Sequence, residues 1–110
     1  MYNKYGNRKT IIDNHVFPSK KEATRYSELK LLERAGKISR LELQPKFELQ
    51  EKFKHPVWGA QRAIAYVADF LYIEDSRQVV EDVKGAKTAI YLLKKKMLLY
   101  KYPLIDFREV

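Results

Sequence analysis

Three acids and one lysine stand where packing alone would not place them. Ala65, Val67, Asp69, Leu71 and Ile73 form one alternating row of a predicted strand, so Asp69 interrupts an apolar face. A buried carboxylate needs a partner, a cation or an opening to solvent. The next strand carries Asp82 and Lys84 two residues apart, on the same face as Val80. If the two strands close through a two-residue turn at Asp75 and Ser76, Asp69 falls opposite Asp82 with Cβ atoms roughly 4.5 to 5.5 Å apart. Two facing carboxylates repel when empty, and together they suit a divalent cation. Oxygen ligands without cysteine favour Mg2+ or Mn2+ over structural zinc, with the backbone carbonyl of Val83 as a further donor.

A third acid comes from the first predicted helix. At about 100° per residue, Glu22 lies near Leu29 and Tyr26 on the stripe that should meet the sheet, and it is the preferred third carboxylate. Glu22 also stands three residues after Ser19, the capping-box spacing, so capping competes with a metal role. Glu33 lies on the same stripe, farther along the helix.

The elements that must position these residues follow from pattern. Ser19 and Gly36 bound the first helix. ISRLELQPKFELQ alternates, with Leu41, Leu43, Phe47 and Leu49 on one side and Pro45 marking an edge or bulge. Residues 51–62 combine proline, glycine and charge, as a loop or long hairpin connection does. AIAYVADFLYI and RQVVEDVKG are the next strands. Ile90, Leu93, Met97 and Tyr100 give a second helix from about Thr88 to Tyr102 its apolar side, and LIDF reads as a final strand. Residues 1–14 are expected to be a flexible basic arm and residues 15–110 a single domain.

This order and these residues resemble a minimal PD-(D/E)XK nuclease of the restriction-endonuclease-like superfamily. The resemblance rests on Glu22, Asp69 and Asp82-Val83-Lys84 followed by Gly85, and spans roughly residues 18 to 107. SKKEATRYSELKLLERAGKISRLELQP is similar to small phage-encoded endonuclease-like proteins and to the catalytic domain of a transposon-end-cutting nuclease. Archaeal-type Holliday junction resolvases have a comparable core. Ala68 stands where the superfamily often has proline, and Asp82 where many members have glutamate. The resemblance implies an α/β fold with an αβββαβ core, a central mixed four-stranded sheet flanked by helices. It also implies Mg2+-dependent (or Mn2+-dependent) phosphodiester hydrolysis. Asp69 and Asp82 would bind the cation, Glu22 would complete or support its shell, and Lys84 would orient water or stabilise charge. Gln44, in the matching Gln-Pro feature, would line the cleft.

Charge and length agree with such a substrate. The 110 residues carry 22 Lys and Arg against 14 Asp and Glu, a net charge of +8 that favours a polyanionic partner. Lys87, Lys94 and Lys101 recur every seven residues as a candidate phosphate track. Lys52, Lys54, Trp58 and Arg62 form a basic and aromatic segment suited to a groove or a distorted base. With no cysteine, disulfides and thiolate chemistry are excluded. No apolar run is long enough for a membrane span, so a soluble, cytoplasmic protein without a membrane partner is expected, in the bacterial host if phage-encoded. DNA, branched or otherwise structured, is the expected substrate, although these residues do not distinguish it from RNA. Cutting paired strands calls for a homodimer. The competing readings are a non-catalytic basic nucleic-acid-binding domain and an interaction module of a phage replication or packaging complex.

Overall fold

The computed structural model describes residues 9–83 and 87–110. A β1 (Thr10–Ile12) and β2 (His15–Phe17) hairpin leads into α1 (Lys20–Arg34). Strands β3 (Ser39–Leu43), β4 (Lys46–Gln50), β5 (Phe53–His55), β6 (Gly59–Gln61), β7 (Ile64–Val67), β8 (Phe70–Glu74) and β9 (Arg77–Asp82) follow, then α2 (Ala89–Lys101) and β10 (Asp106–Glu109). The architecture is mixed α/β: β10, β9, β8 and β3 form a four-stranded sheet in which only β10 and β9 run parallel. The parallel pair is joined through α2, because a parallel connection needs a long crossover.

The first helix starts and stops on local chemistry. Ser19 is extended, and its Oγ accepts the Glu22 backbone N–H at 3.1 Å. At the other end the Lys37 N–H reaches the Leu32 carbonyl and the Gly36 N–H that of Glu33, with Gly36 at φ +74. This is a Schellman ending, in which glycine carries the left-handed turn. Ala23, Tyr26 and Leu29 of α1 are buried with Phe70, Tyr72, Val79 and Val83. Val80 belongs instead to a cluster with Leu98 and Tyr91 of α2. Adjacent strand residues point to opposite faces, so the two helices cover opposite sides of β9.

The β8–β9 hairpin has the expected turn and register. Glu74 pairs with Arg77 and the ladder continues to Phe70 and Glu81. Asp75 and Ser76 both have positive φ, 51 and 64, the conformation that matches strand twist but strains a Cβ. Asp75→Asn with Ser76→Gly should raise unfolding stability by about 1 kcal/mol in urea titration.

Four expectations need correction. Residues 10–14 belong to the folded unit: Thr10 to Ile12 pair with His15 to Phe17, and Tyr26 donates its hydroxyl to Asp13 Oδ2 at 2.9 Å. Leu41 and Leu43 do not share a face with Phe47 and Leu49. The former pack in the α1 cluster and the latter in the α2 cluster. The strand breaks at Gln44, whose φ is 50, and at Pro45, which has no N–H to donate. The partner strand breaks at the same level. The Gln44 N–H binds the Asp69 carbonyl at 2.9 Å and the Ala68 N–H binds the Pro45 carbonyl at 3.1 Å. Both strands change sides there, which detaches β4 and β7 as a separate pair.

The third correction concerns α2. Its buried positions are Tyr91 and Leu98, whereas Ile90, Leu93 and Tyr100 are exposed. Apolar residues occur on several sides of this helix, so spacing alone did not choose the face that meets the sheet. The fourth is the last strand, which begins at Asp106 and leaves Leu104 exposed.

Candidate active site at the strand bend

The shared bend brings together residues that are remote in sequence. A cavity of about 240 Å³ is lined by Glu22 of α1, Gln44 and Asp69 of the bend, and Asn14 and His15 of the first hairpin. The Ser19 hydroxyl engages the Glu22 backbone N–H, while the Glu22 carboxylate belongs to a residue lining the cavity. The Ser19 cap therefore draws on the Glu22 backbone and not on its carboxylate. His15 had no assigned role in the sequence; the hairpin turn that brings it here was hidden in a stretch expected to be an arm.

Asp69 is half-buried and its Oδ2 accepts the Val83 N–H at 2.6 Å. Its own N–H bonds to the Glu81 carbonyl at 3.1 Å, so it does not continue the regular pairing toward Asp82. The expected face-to-face aspartate pair is thus displaced by the bend. Asp82 is 1% exposed and its Oδ2 accepts the hydroxyl of Tyr66. It does not line the cavity, although Asp69 and Asp82 both lie close enough to Tyr91 to act on its hydroxyl electrostatically. Lys84 and Gly85 lie outside the described residues. Val83 meets Asp69 through its backbone N–H.

Two other acids have structural work. Glu33 Oε2 accepts the Leu41 N–H at 3.0 Å and Oε1 pairs with Lys30, which together hold its carboxyl below the ordinary value and tie α1 to β3. Glu81 is fully buried and receives Nε and Nη2 of Arg25 at 2.7 and 2.6 Å, with the Tyr72 hydroxyl on Oε2. The Arg25 guanidinium is stabilised in its charged form, first by that hydrogen bond. Glu81 alternates with Val79 and Val83, a signal that one acid faces α1.

The basic residues are dispersed. Lys87 precedes the Thr88 cap, so it does not share a helical face with Lys94 and Lys101. It pairs with Glu109 at 3.2 Å, Lys94 is half-buried, and Lys101 lies over the Tyr102 ring. Lys52, Lys54, Trp58 and Arg62 are exposed on or beside the β5–β6 hairpin.

Glu109 accepts the Tyr91 hydroxyl and also meets Lys87 and Lys95. The Tyr91 bond, then Lys87, holds its carboxyl down at about 2. This lies below the unfolded value of about 4.3, so the stabilisation is fully present above that pH and is lost as pH falls toward 2. Glu109→Gln should therefore flatten the acid limb of stability below about pH 4.3, as measured by thermal melts across pH.

The family model described as "Protein of unknown function (DUF1064)" matches residues 2–109. The chain belongs to the DUF1064 family. No curated protein and no solved structure matches it. In this DUF1064 chain no helix among the described residues is long and apolar enough to cross a membrane. Nor does any group of three or more acids or histidines among them converge to hold a metal ion. A magnesium site does not require one: Mg2+ is commonly held by one or two carboxylates, with water and substrate phosphate filling the remaining positions. Glu22 and Asp69 fit that donor set.

Proposed function

We propose that this DUF1064 protein is a magnesium-dependent endonuclease that hydrolyses phosphodiesters in branched or otherwise structured DNA. The observation that supports this most is the cavity that unites Glu22, Gln44 and Asp69 from three parts of the chain. Glu22 and Asp69 would hold Mg2+ or Mn2+, with Asp82 joining them after exchange of its Tyr66 hydrogen bond. Bound there, the cation would supply Lewis acidity, lowering the pKa of water and stabilising phosphoryl charge. The Val83 N–H orients the Asp69 carboxylate. Gln44 presents an amide to the substrate, and Lys84 orients the attacking water or offsets developing charge. Cleavage of paired strands would use two copies, so a homodimer belongs to the same proposal.

A basic nucleic-acid-binding domain without catalysis is the second reading, favoured by the enclosure of Asp82 beneath Tyr66. Incubating the native chain with linear, flap and four-way DNA separates the two. The nuclease reading expects cleavage with Mg2+ that a chelator stops. Binding without cleavage of any substrate supports the second reading.

A further inference from the structure

The β5–β6 hairpin continues the arm that β4 and β7 begin, on the side away from the bend. Phe53 pairs with Gln61, Lys54 with Ala60, and His55 with Gly59. Trp58 and Val57 at its tip are 80% and 82% exposed, and Phe53 is 45% exposed. Yet the tip is held in shape. His55 Nδ1 accepts the N–H groups of both Val57 and Trp58 at 3.1 Å, and Gln61 Nε2 donates to the Trp58 carbonyl at 3.2 Å. Gly59, at φ +75, supplies the backbone conformation that returns the chain. Through its two Nδ1 contacts His55 acts as a turn clamp.

An indole kept in solvent by hydrogen bonds beneath it contributes little to the core. Phe53, His55, Trp58 and Gln61 line a recess of about 250 Å³. Lys52 and Arg62 flank the base of the hairpin and Lys54 lies on its first strand, against one acid, Glu51. Aromatic faces offered beside a net positive charge match a nucleobase attached to a phosphate chain. In an intact duplex the base faces are already stacked on one another, so the accessible ligand is an unpaired base.

We propose that the β5–β6 hairpin is a stacking wedge that selects nucleic acid with unpaired bases, with Trp58 as the platform and Lys52, Lys54 and Arg62 on the adjoining phosphates. This rests on the nucleic-acid part of the proposed function and not on its metal chemistry. It also sets a distance. Trp58 stands eleven positions before Asp69, at most about 37 Å of strand. That is about eleven base pairs of duplex, so the unpaired base would sit within that distance of the cut.

Trp58 is the only tryptophan, so intrinsic emission reports on the tip directly. In chelator, the native chain is titrated with a single strand, a fully paired duplex of the same length and the duplex with a three-nucleotide bulge. Emission should change with the single strand and the bulge and stay unchanged with the duplex. Trp58→Ala should weaken binding of labelled single strand roughly ten- to a hundredfold, with Trp58→Phe retaining most of the affinity. A ribonucleotide strand of the same sequence tests whether the base or the sugar is read: equal quenching by both supports base stacking, and a response to only one sugar type overturns stacking as the basis of selection. Unchanged emission with every nucleic acid, or unchanged affinity in Trp58→Ala, overturns the wedge. Magnesium-dependent cleavage that survives in Trp58→Ala with unaltered substrate preference removes this inference and leaves the nuclease reading standing. Stacking without cleavage does the reverse.

Discussion

Replacing Arg25 with methionine should lower unfolding stability by about 3 kcal/mol, and the thermal midpoint by roughly 10 °C or more. The cause is the acid left behind. Glu81 is fully buried, and both its oxygens are taken by Arg25, with Tyr72 on one of them. Methionine preserves much of the apolar stem of Arg25 and removes only the charge that made Glu81 tolerable there. The triple change Arg25→Met, Glu81→Leu, Tyr72→Phe removes the charge and the hydroxyl together, and should recover most of the loss. Urea and thermal unfolding of the single and triple variants measure this directly. Equal instability in both would show that shape at this position matters more than the paired charge.

Asp69→Asn should reduce cleavage at least about a hundredfold while leaving DNA affinity and folding close to native. Asparagine can still accept the Val83 N–H through its carbonyl oxygen, so the bend is kept while the negative charge is lost. Glu22→Gln should act in the same direction, since the Ser19 cap uses the backbone N–H of residue 22 and survives the change. Glu33→Gln is the contrast. Its carboxylate serves Leu41 and Lys30, so it should affect stability and leave the cleavage rate per folded molecule unaltered. Single-turnover cleavage with binding measured separately distinguishes these effects.

Local signals in the sequence carried the hairpin and the first helix. The turn at Asp75 and Ser76 set the β8–β9 register through to Phe70 and Glu81, and Ser19 and Gly36 marked the ends of α1. Those features depend on neighbours in the chain. The bend does not: Gln44 changes direction together with Ala68 and Asp69, through hydrogen bonds between distant segments. Straight alternation through Pro45 therefore put Phe47 on the wrong face and set Asp69 opposite Asp82. The α2 face was similarly ambiguous, because Tyr91 and Leu98 compete with Ile90, Leu93 and Tyr100 for the same core and only the sheet decides. Glu22, Gln44 and Asp69, singled out in the sequence, line one cavity, while His15 entered it through a hairpin that its polar surroundings concealed.

In the proposed function Glu22 and Asp69 hold a divalent cation at the bend. Titration of Mn2+ followed by its electron paramagnetic resonance signal, with uncleavable phosphorothioate DNA present, tests it at the site itself. The native chain should remove Mn2+ from the free pool stoichiometrically, and Asp69→Asn with the same DNA bound should not. Equal Mn2+ binding by the two proteins, or none by the native complex, would contradict the assignment.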